Sequence, residues 1–363
     1  MKKVLLVGPR PSGKGGVCIW VGMVLDYLQE HSNIVSIDLL DSTRSASLTH
    51  LLPLYKKLWC AISDYYLVLG KLITRLSKHN YDIVHIVSSG GCGILRDFIF
   101  VCIANFFKVT PIVHYHCGTI PLTLKSRSLY SFLLSFVANH SKVIVLDQLS
   151  YDVFIEKGYT AVSKIGNAYS PIIDSLYNSC IDRNPLDILF VGHLVPEKGI
   201  FELLEALHDI PNINLTCIGC ENDFVKQSLL TYISRSGFLG TVKFLGLQDS
   251  LTVYTAMVKS GLFVLPTYSE GFPFVIVEAM ASGCPIISTP VGAIEEMLTY
   301  KGEIQGFLVT PKDPKILKST ILHCFSSYPL LIEKAVNART KAVANYSVDS
   351  IMTKLIALWN SCS

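Results

Sequence analysis

The stretch PTYSEGFPFVIVEAMASGCPIISTPVGAIEEML (residues 266–298) carries the densest structural information in the chain. The apolar run at 262–265 predicts a strand, and a tight loop separates it from the helix that follows. Pro273 suits the first turn of this helix, because the backbone N–H that proline lacks has no helical partner there. The helix is predicted to run to about Ser282 and to be capped by Gly283. Its first N–H groups and its dipole favour an anionic ligand.

Two glutamates mark this stretch. Glu270 precedes the predicted helix and Glu278 lies two turns into it. Eight helical residues rise by about 12 Å, so the two carboxylates are spaced to hold two parts of one long ligand. By itself, this spacing favours a capping carboxylate and an exposed surface glutamate over a ligand pair.

The rest of the chain repeats the alternation of short apolar strands with amphipathic helices. Strands are predicted at 3–8, 34–39, 82–87, 111–115, 142–146, 187–192, 214–219, 242–246, 262–267, 285–289 and 306–310. Such alternation predicts parallel sheets covered on both faces, and hence an α/β protein with two doubly wound domains. We expect an N-terminal domain (1–168), a polar linker (169–186), a C-terminal domain (187–345) and a final helix (346–363) that is free to pack back on the first domain.

The composition is that of a globular protein. Half of the 363 residues are hydrophobic and only 16% are charged, which excludes a disordered chain. The 11 scattered cysteines follow no secretory signal, so they are predicted to be free thiols in a reducing cytoplasm. CIGC (217–220) has the spacing of a zinc or redox site, but it ends an apolar run and is interpreted as a strand-end coincidence.

The charge is uneven along the chain. Residues 1–165 carry 17 Lys and Arg against 10 Asp and Glu, whereas the remainder is acidic. The segment 51–79 mixes lysines with Leu, Trp and Tyr, which is typical both of an interfacial helix and of ordinary helices with a solvated lysine face. Because basic residues mix with large apolar ones, we expect the first half to face an anionic membrane surface rather than nucleic acid.

A second stretch, GPRPSGKGG (8–16), comes close to the P-loop pattern G-x-x-x-x-G-K-[ST]. It follows an apolar run, as a P-loop does. The residue after Lys14 is Gly15, however, which has no hydroxyl group for Mg²⁺. A P-loop nucleotide-binding protein is therefore the less favoured interpretation, and it leaves 266–298 unexplained.

The stretch 266–298 resembles the E-x7-E signature of the retaining GT-B glycosyltransferases of the glycogen-synthase-like group, family 4. The match runs from Ser269 to Thr289. Four other stretches of the chain resemble motifs of that family: YHCG (115–118), KIGNAY (164–169), FVGHLVPEKGI (190–200) and GFLVTPKDP (306–314). The resemblance implies two Rossmann-like domains that face each other across a cleft, with a nucleotide-sugar donor held mainly by the second domain.

The resemblance also implies roles within the signature. Glu278 matches the glutamate that binds the ribose hydroxyls, and two carboxylate oxygens suit a vicinal diol. Glu270 matches the glutamate that contacts the donor sugar near the reacting face. The backbone N–H groups of Gly271 and Phe272, ahead of Pro273, are expected to contact sugar and phosphate.

Further roles follow from the other motifs. Lys198 matches the lysine that holds the donor diphosphate and offsets charge on the departing nucleotide. The family's arginine five residues earlier is His193 here, which puts its contribution to diphosphate binding in doubt, because histidine is neither permanently charged nor forked. His116 matches a first-domain histidine that reaches the donor sugar. Gly15 and Gly16 match a glycine pair that lets backbone N–H groups approach the donor phosphate and the acceptor.

The implied reaction is hexosyl transfer with retention at the anomeric carbon, by front-face departure of the nucleotide. The sequence contains no D-x-D motif, so no metal and no other cofactor is expected. The alternative is a non-catalytic nucleotide-sugar-binding module, for which His193 would mark lost activity.

The expected acceptor is a glycan or a polyprenyl-diphosphate-linked glycan of bacterial cell-surface polysaccharide or lipopolysaccharide synthesis. Transfer is expected in the cytoplasm, with the protein peripheral on the inner face of the membrane. UDP-hexoses and GDP-mannose both stay open as donors.

Overall fold

The computed structural model describes residues 1–13, 15–43, 54–179, 183–219 and 223–362. The chain divides into two compact units, each with a six-stranded parallel sheet. Unit 1 comprises Met1–Asn167 and Ile351–Ser363, and unit 2 comprises Ala168–Ser350.

Unit 1 alternates strands and helices along the chain. Its elements are β1 (Lys2–Gly8), α1 (Gly16–Glu30), β2 (Val35–Asp41), α2 (Leu54–Lys78), β3 (Ile83–Ser88), α3 (Gly93–Phe106), β4 (Thr110–Tyr115), α4 (Ile120–Lys125), α5 (Leu129–His140), β5 (Lys142–Val145), α6 (Gln148–Glu156) and β6 (Val162–Lys164). The strand order is β2-β1-β3-β4-β5-β6, and every pair is parallel. Strand β2 lies on one side of β1 and β3 lies on the other, so the order in which strands are added reverses between β1 and β3. Open α/β sheets bind ligands at such a point of reversal.

Alternate strand residues of unit 1 enter two different layers. On one face, residues such as Val84 and Val113 join a core with α2, α3 and α5, exemplified by Phe100. On the other face, His85 and His114 contact the ring of Trp20 from α1. This burial on both faces explains why the strands are continuous apolar runs that the sequence makes easy to predict.

Unit 2 repeats the design. Its elements are α7 (Ile172–Ser179), β7 (Asn184–Val191), α8 (Ile200–Leu207), β8 (Asn214–Ile218), α9 (Asp223–Ser236), β9 (Thr241–Phe244), α10 (Ser250–Lys259), β10 (Ser260–Leu265), α11 (Phe274–Ala281), β11 (Ile286–Ser288), α12 (Ile294–Leu298), β12 (Thr299–Tyr300), β13 (Glu303–Ile304), β14 (Phe307–Leu308), α13 (Pro314–Ser326) and α14 (Tyr328–Tyr346). The sheet order is β14-β11-β10-β7-β8-β9, all parallel, with β12 and β13 as a separate antiparallel pair. A last helix, α15 (Val348–Asn360), ends the described fold.

The predicted fold class is confirmed: both sheets are parallel and doubly wound, and every predicted strand is present with its ends shifted by up to three residues. The short strand β6 was not predicted, because three residues with a central serine show no pattern. The segment interpreted as a polar linker, 169–186, contains α7, where Ile173 is buried although Ser, Asn and Pro surround it. Local composition therefore hid a helix that tertiary packing stabilises.

Two predictions concern the chain as a whole. Eight cysteines are free, as predicted, and Cys217 among them is buried at the end of β8, whereas Cys220 lies outside the described residues. None of the described helices is both long enough and apolar enough to span a bilayer.

Candidate active site

The point of reversal in unit 2 lies between β7 and β10, which are hydrogen-bonded neighbours. The segment after β7 turns through Pro196–Lys198, and the segment after β10 leads to α11. The two segments are tied together, since the backbone N–H of Tyr268 donates to the carbonyl oxygen of Glu197 at 2.8 Å. Loops at the carboxyl ends of such strands are where open α/β sheets bind ligands.

These segments bring Lys198 and Glu270 into contact. The Lys198 Nζ atom lies 2.5 Å from Glu270 Oε1. The side chains are 24% and 12% exposed, so the pair is largely removed from water but open on one side. A ligand can therefore reach both the ammonium group and the carboxylate from solvent.

Two glycines allow the loops to approach so closely. Gly199 has φ +77°, and a Cβ there would lie 2.1 Å from the carbonyl oxygen of Pro266. Gly292, just after β11, has φ +57°, and a Cβ there would lie 2.2 Å from the carbonyl oxygen of Glu270. Any other residue at either position would displace the backbone that positions Lys198 and Glu270.

The helix behind the pair begins one residue later than predicted. Pro273 is the N-cap of α11, with ψ 120°, and Phe274 is its first residue, because the extended ψ of Pro273 keeps it outside the helix. Phe272 is buried and packs edge-on against Tyr346 at 5.7 Å. The backbone of Gly271 is fixed by its carbonyl oxygen, which accepts from the N–H of Ala293 at 2.9 Å.

Glu278 is buried inside unit 2, with only 6% of the residue exposed. Burial raises the pKa of Glu278 to about 7, and a hydrogen bond with Tyr254 of α10 opposes that rise. The interpretation of Glu278 as a surface glutamate is therefore wrong. A carboxyl group kept from water needs a polar partner, and Tyr254 is one that no spacing in the sequence indicated.

Sequence analysis also missed a second carboxyl group near the loop. The Tyr268 hydroxyl donates to Glu202 Oε1, and the ammonium of Lys312 lies 4.8 Å from the centre of the Tyr268 ring. The other oxygen of Glu202 is buried and has no hydrogen-bond partner within the described parts of the chain. Tyr268 is part of the signature stretch, but nothing local marks Glu202, which is 66 positions away.

His193 stands where β7 ends and is exposed to solvent. Its carbonyl oxygen accepts from the N–H of Val195 at 2.9 Å, which starts the turn toward Lys198. The structure thus places His193 on the same loop as Lys198, five positions before it, with its side chain available.

The remaining predicted residues lie in unit 1. Gly15 has φ +108°, a conformation that favours glycine, and it is followed directly by Gly16, the first residue of α1. Lys14, predicted to add charge at this loop, lies outside the described residues. Gly15 and Gly16 therefore place the start of α1 beside the β1–β3 reversal.

His116, directly after β4, belongs to a cluster of aromatic side chains. Its ring centre lies 4.1 Å from that of His114 and 5.0 Å from that of Trp20, and His85 lies 5.6 Å from His114. The ring nitrogens of His114 and His116 are buried, and Asn167 and the backbone of Ile165 interact with His116 and His114, respectively. Burial lowers the pKa of His116 and of His85 to about 3, and it holds the pKa of His114 well below its usual value.

A C-terminal residue completes this histidine cluster. The indole N–H of Trp359, on α15, donates to His85 Nδ1 at 3.1 Å. Because Nδ1 accepts, the proton of the neutral His85 ring sits on Nε2. The cluster is therefore a set of neutral imidazoles, of which only His116 matched a family motif.

Carboxylates and histidines such as those described above are also groups that bind metals. Within the part of the chain that the structure describes, no three His, Cys, Asp or Glu side chains are placed to hold a metal ion.

Comparison with known proteins identifies relatives of this arrangement. Residues 178–342 match the family model described as "Glycosyl transferases group 1", which covers most of unit 2. The putative teichuronic acid biosynthesis glycosyltransferase TuaC of Bacillus subtilis is 36% identical over 38% of this chain and 33% of its own length. The capsular polysaccharide biosynthesis glycosyltransferase CapM of Staphylococcus aureus is 26% identical over 68% of this chain and 62% of its own length.

The fold is shared with solved structures along almost the whole chain. The Anabaena protein HepE, solved in complex with UDP and glucose, is 18% identical and superposes with a TM-score of 0.71 over 99% of this chain and 100% of its own. The chain thus has the GT-B fold, and two of its relatives are glycosyltransferases of teichuronic acid and capsular polysaccharide biosynthesis. The alignment to TuaC spans only a third of that relative.

Proposed function

We propose that this protein is a retaining, metal-independent glycosyltransferase that moves a hexose from a nucleotide sugar to a glycan of a bacterial cell-surface polysaccharide. The observation that carries the proposal is the Lys198–Glu270 pair at the reversal point of unit 2, with Glu278 buried behind it. All three lie within the segment that matches the glycosyl transferase family model.

Donor binding redistributes the charges of this pair. Lys198 contacts Glu270 on the loop that leads into α11, so a diphosphate placed at this loop would meet a cation and the N–H groups at the start of the helix together. When Lys198 turns to the diphosphate, Glu270 loses its partner and becomes an acceptor for hydroxyl groups of the sugar. Lys198 then offsets the negative charge that grows on the departing nucleotide, which is the term that lowers the barrier.

Glu278 suits the ribose. Its carboxyl group is buried and hydrogen-bonded to Tyr254, so its orientation is set before the ligand arrives. A diol that donates two hydrogen bonds to Glu278 favours the ionised form of this carboxyl group, whereas burial alone disfavours it. Ribose binding therefore supplies the partners that this carboxylate lacks in the protein alone.

In unit 1 we assign substrate contact to His116 and to the loop at Gly15 and Gly16. His116 is held by ring contacts to His114 and Trp20 and is neutral, so it donates or accepts a hydrogen bond without adding charge. His193, whose side chain is exposed, is assigned to the donor phosphate as a weaker substitute for arginine.

We further propose a lipid-linked acceptor and peripheral contact with an anionic membrane through unit 1. An apolar pocket of about 330 Å³ lies between α2 and α3, and its lining includes Ile73, Ile103 and Phe106. Phe106 is 81% exposed and is followed after one residue by Lys108. An exposed aromatic ring beside a cation is typical of residues that enter the headgroup region.

Vesicle sedimentation tests the membrane contact. Phe106→Glu should reduce binding to vesicles of phosphatidylglycerol, whereas Phe224→Glu in unit 2, which alters a ring that is 79% exposed, should not. Equal binding by wild type and Phe106→Glu would contradict this contact.

Thermal-shift screening with a panel of UDP- and GDP-linked sugars, followed by product analysis with NMR of the anomeric proton, tests the central proposal. We expect one donor to stabilise the protein and its sugar to be transferred with retention. Binding without transfer to any glycan or lipid-linked acceptor would instead indicate a non-catalytic nucleotide-sugar-binding module.

A further inference from the structure

A groove runs along unit 1 on the side of α2 that faces the edge strand β2. Its volume is about 690 Å³. The loop after β1 contributes Arg10, β2 contributes Asp41, and α2 contributes Tyr66, Gly70, Lys71 and Lys78. The Arg10 end lies at the carboxyl edge of the sheet, where β1 and β2 finish, and the other end follows α2 toward its C-terminus.

The charge of the groove is positive. Arg10 forms an ion pair with Asp41, the carboxylate in the lining, and Arg75 lies 3.9 Å from Asp38 beside it. Lys71 and Lys78 also line the groove, and neither has a carboxylate partner among the residues that the structure describes. Seven helical positions separate these two lysines, which is about 10 Å along the axis of α2. Lys71 and Lys78 can therefore each bind one of the anionic groups that recur along a polymeric ligand.

Gly70 is not explained by the fold. It lies within α2, where glycine is less favourable than alanine, and its φ is an ordinary helical one. A Cβ at this position would meet no atom within 4 Å. The missing side chain therefore opens the groove wall between Tyr66 and Lys71 without relieving any clash in the protein.

The groove also presents apolar surface. Tyr66 and Leu67, one turn before Lys71, are 64% and 60% exposed. A tyrosine ring with a free face and a hydroxyl group suits ligands that carry both C–H faces and polar groups. Pyranose rings have this character, whereas inorganic phosphate does not.

We propose that this groove binds an acidic oligosaccharide that bears uronate carboxylates, as part of the acceptor glycan. The acceptor role rests on the proposed function, but the binding itself does not. Carboxylates recur along such a chain and meet Lys71 and Lys78, while the sugar rings lie over Tyr66 and the gap at Gly70. A groove favours an extended chain over a membrane, because a bilayer contacts the raised parts of a surface.

Binding of oligogalacturonate to the full-length protein, measured by calorimetry at low and high salt, tests the proposal directly. The neutral control is a maltooligosaccharide of the same length. We expect binding of the acidic chain only, weakened by salt. Lys71→Gln with Lys78→Gln should weaken it by about tenfold or more, since each removes a charge-assisted contact.

Gly70→Gln is the sharper variant, because it adds a neutral side chain to the groove at a position where a Cβ meets no atom within 4 Å. It should retain or raise the melting temperature and lose oligogalacturonate binding, whereas Gly70→Ala should raise the melting temperature and bind more weakly than wild type. Binding that is unchanged in Gly70→Gln, or no binding by wild type, would overturn the proposal.

Binding to lipid vesicles tests the alternative occupant of the groove, an anionic membrane surface. If phosphatidylglycerol vesicles bind and Lys71→Gln with Lys78→Gln abolishes this, while oligogalacturonate does not bind, the groove is a lipid contact and the proposal is wrong. Nucleotide-sugar binding in unit 2 is measured in the same variants, and we expect it to be unchanged. Loss of the groove ligand with an intact donor site is thus distinguishable from failure of the glycosyltransferase proposal.

Discussion

The ammonium of Lys198 and the carboxylate of Glu270 are 2.5 Å apart, although 72 positions separate them in the chain. The contact holds both side chains in fixed orientations. Only the adjacency of β7 and β10 brings them together.

Lys198→Ala and Glu270→Ala should each lower turnover by about 10²–10³-fold, the usual cost of removing one charge-stabilising group from an active site. Their melting temperatures should change far less than their turnover, since the pair is open to solvent on one side. The matched control is Lys318→Ala, which breaks the more exposed Lys318–Asp209 pair of the same 2.5 Å length. Sugar transfer at unchanged rate in either site variant would remove the assigned roles.

Glu278 predicts a stability that depends on pH. Its pKa is raised to about 7 from an ordinary value near 4.5, so between these values the folded protein holds a proton that the unfolded chain has lost. The free energy of unfolding should therefore fall as the pH rises from 4.5 to 7 and stay level above. Glu278→Gln should be more stable than wild type at pH 8, by about 3 kcal/mol as an upper figure.

Urea unfolding of wild type and Glu278→Gln at pH 5 and pH 8, followed by circular dichroism, measures this difference. Glu303→Gln, which alters an exposed carboxyl group of the same unit, is the control. Equal pH dependence in wild type and Glu278→Gln would contradict the raised pKa.

The sequence predicted the fold because buried strands such as β1 and β10 leave continuous apolar runs, and it singled out Glu270 and Glu278 because 269–289 resembles a family signature. The sequence did not predict contacts between elements that are far apart along the chain. Tyr254 meets Glu278 and Trp359 meets His85 through packing between distant elements, which no local spacing encodes. Only one feature of the sequence could have indicated such a contact: a polar residue inside an apolar strand, as at His85.

The glycine after β11 predicts a steric effect. Gly292→Ala should destabilise unit 2 and weaken nucleotide-sugar binding, because its Cβ would lie 2.2 Å from the carbonyl oxygen of Glu270. Gly302→Ala isolates the cost of positive φ, since Gly302 has φ +83° and open space around it. That cost is about 1 kcal/mol, and Gly292→Ala should exceed it. Thermal unfolding and donor titration measure both, and equal effects would argue against the clash.

The histidine cluster predicts acid sensitivity in unit 1. Because the pKa values of His85 and His116 are lowered to about 3 by burial, the unfolded chain binds protons below pH 6.5 that the folded cluster does not. The free energy of unfolding should therefore decrease as the pH falls from about 6.5. His85→Phe with His114→Phe should flatten this decrease.

Tryptophan fluorescence reports on this unit selectively, because all three tryptophans of the chain, at 20, 59 and 359, belong to unit 1. A pH series of urea titrations is the measurement. The same slope in wild type and in the double variant would show that the cluster does not set the acid limit.

Transfer should persist in EDTA. In the proposed reaction, Lys198 and the N–H groups at the start of α11 would take the place of a metal ion as the source of positive charge. Rates with EDTA and with added Mg²⁺ or Mn²⁺ measure this, and recovery of a lost rate by one of these ions would contradict a metal-independent reaction.

The contact between Trp359 and His85 has a consequence for biosynthesis. Unit 1 begins at Met1 but requires Ile351–Ser363, whereas unit 2 is contiguous. A ribosome therefore delivers every residue of unit 2 before the indole that covers His85 exists. The half of the protein that is translated first is therefore completed after the other half, and a nascent chain presents His85 without its indole partner until Trp359 has been added.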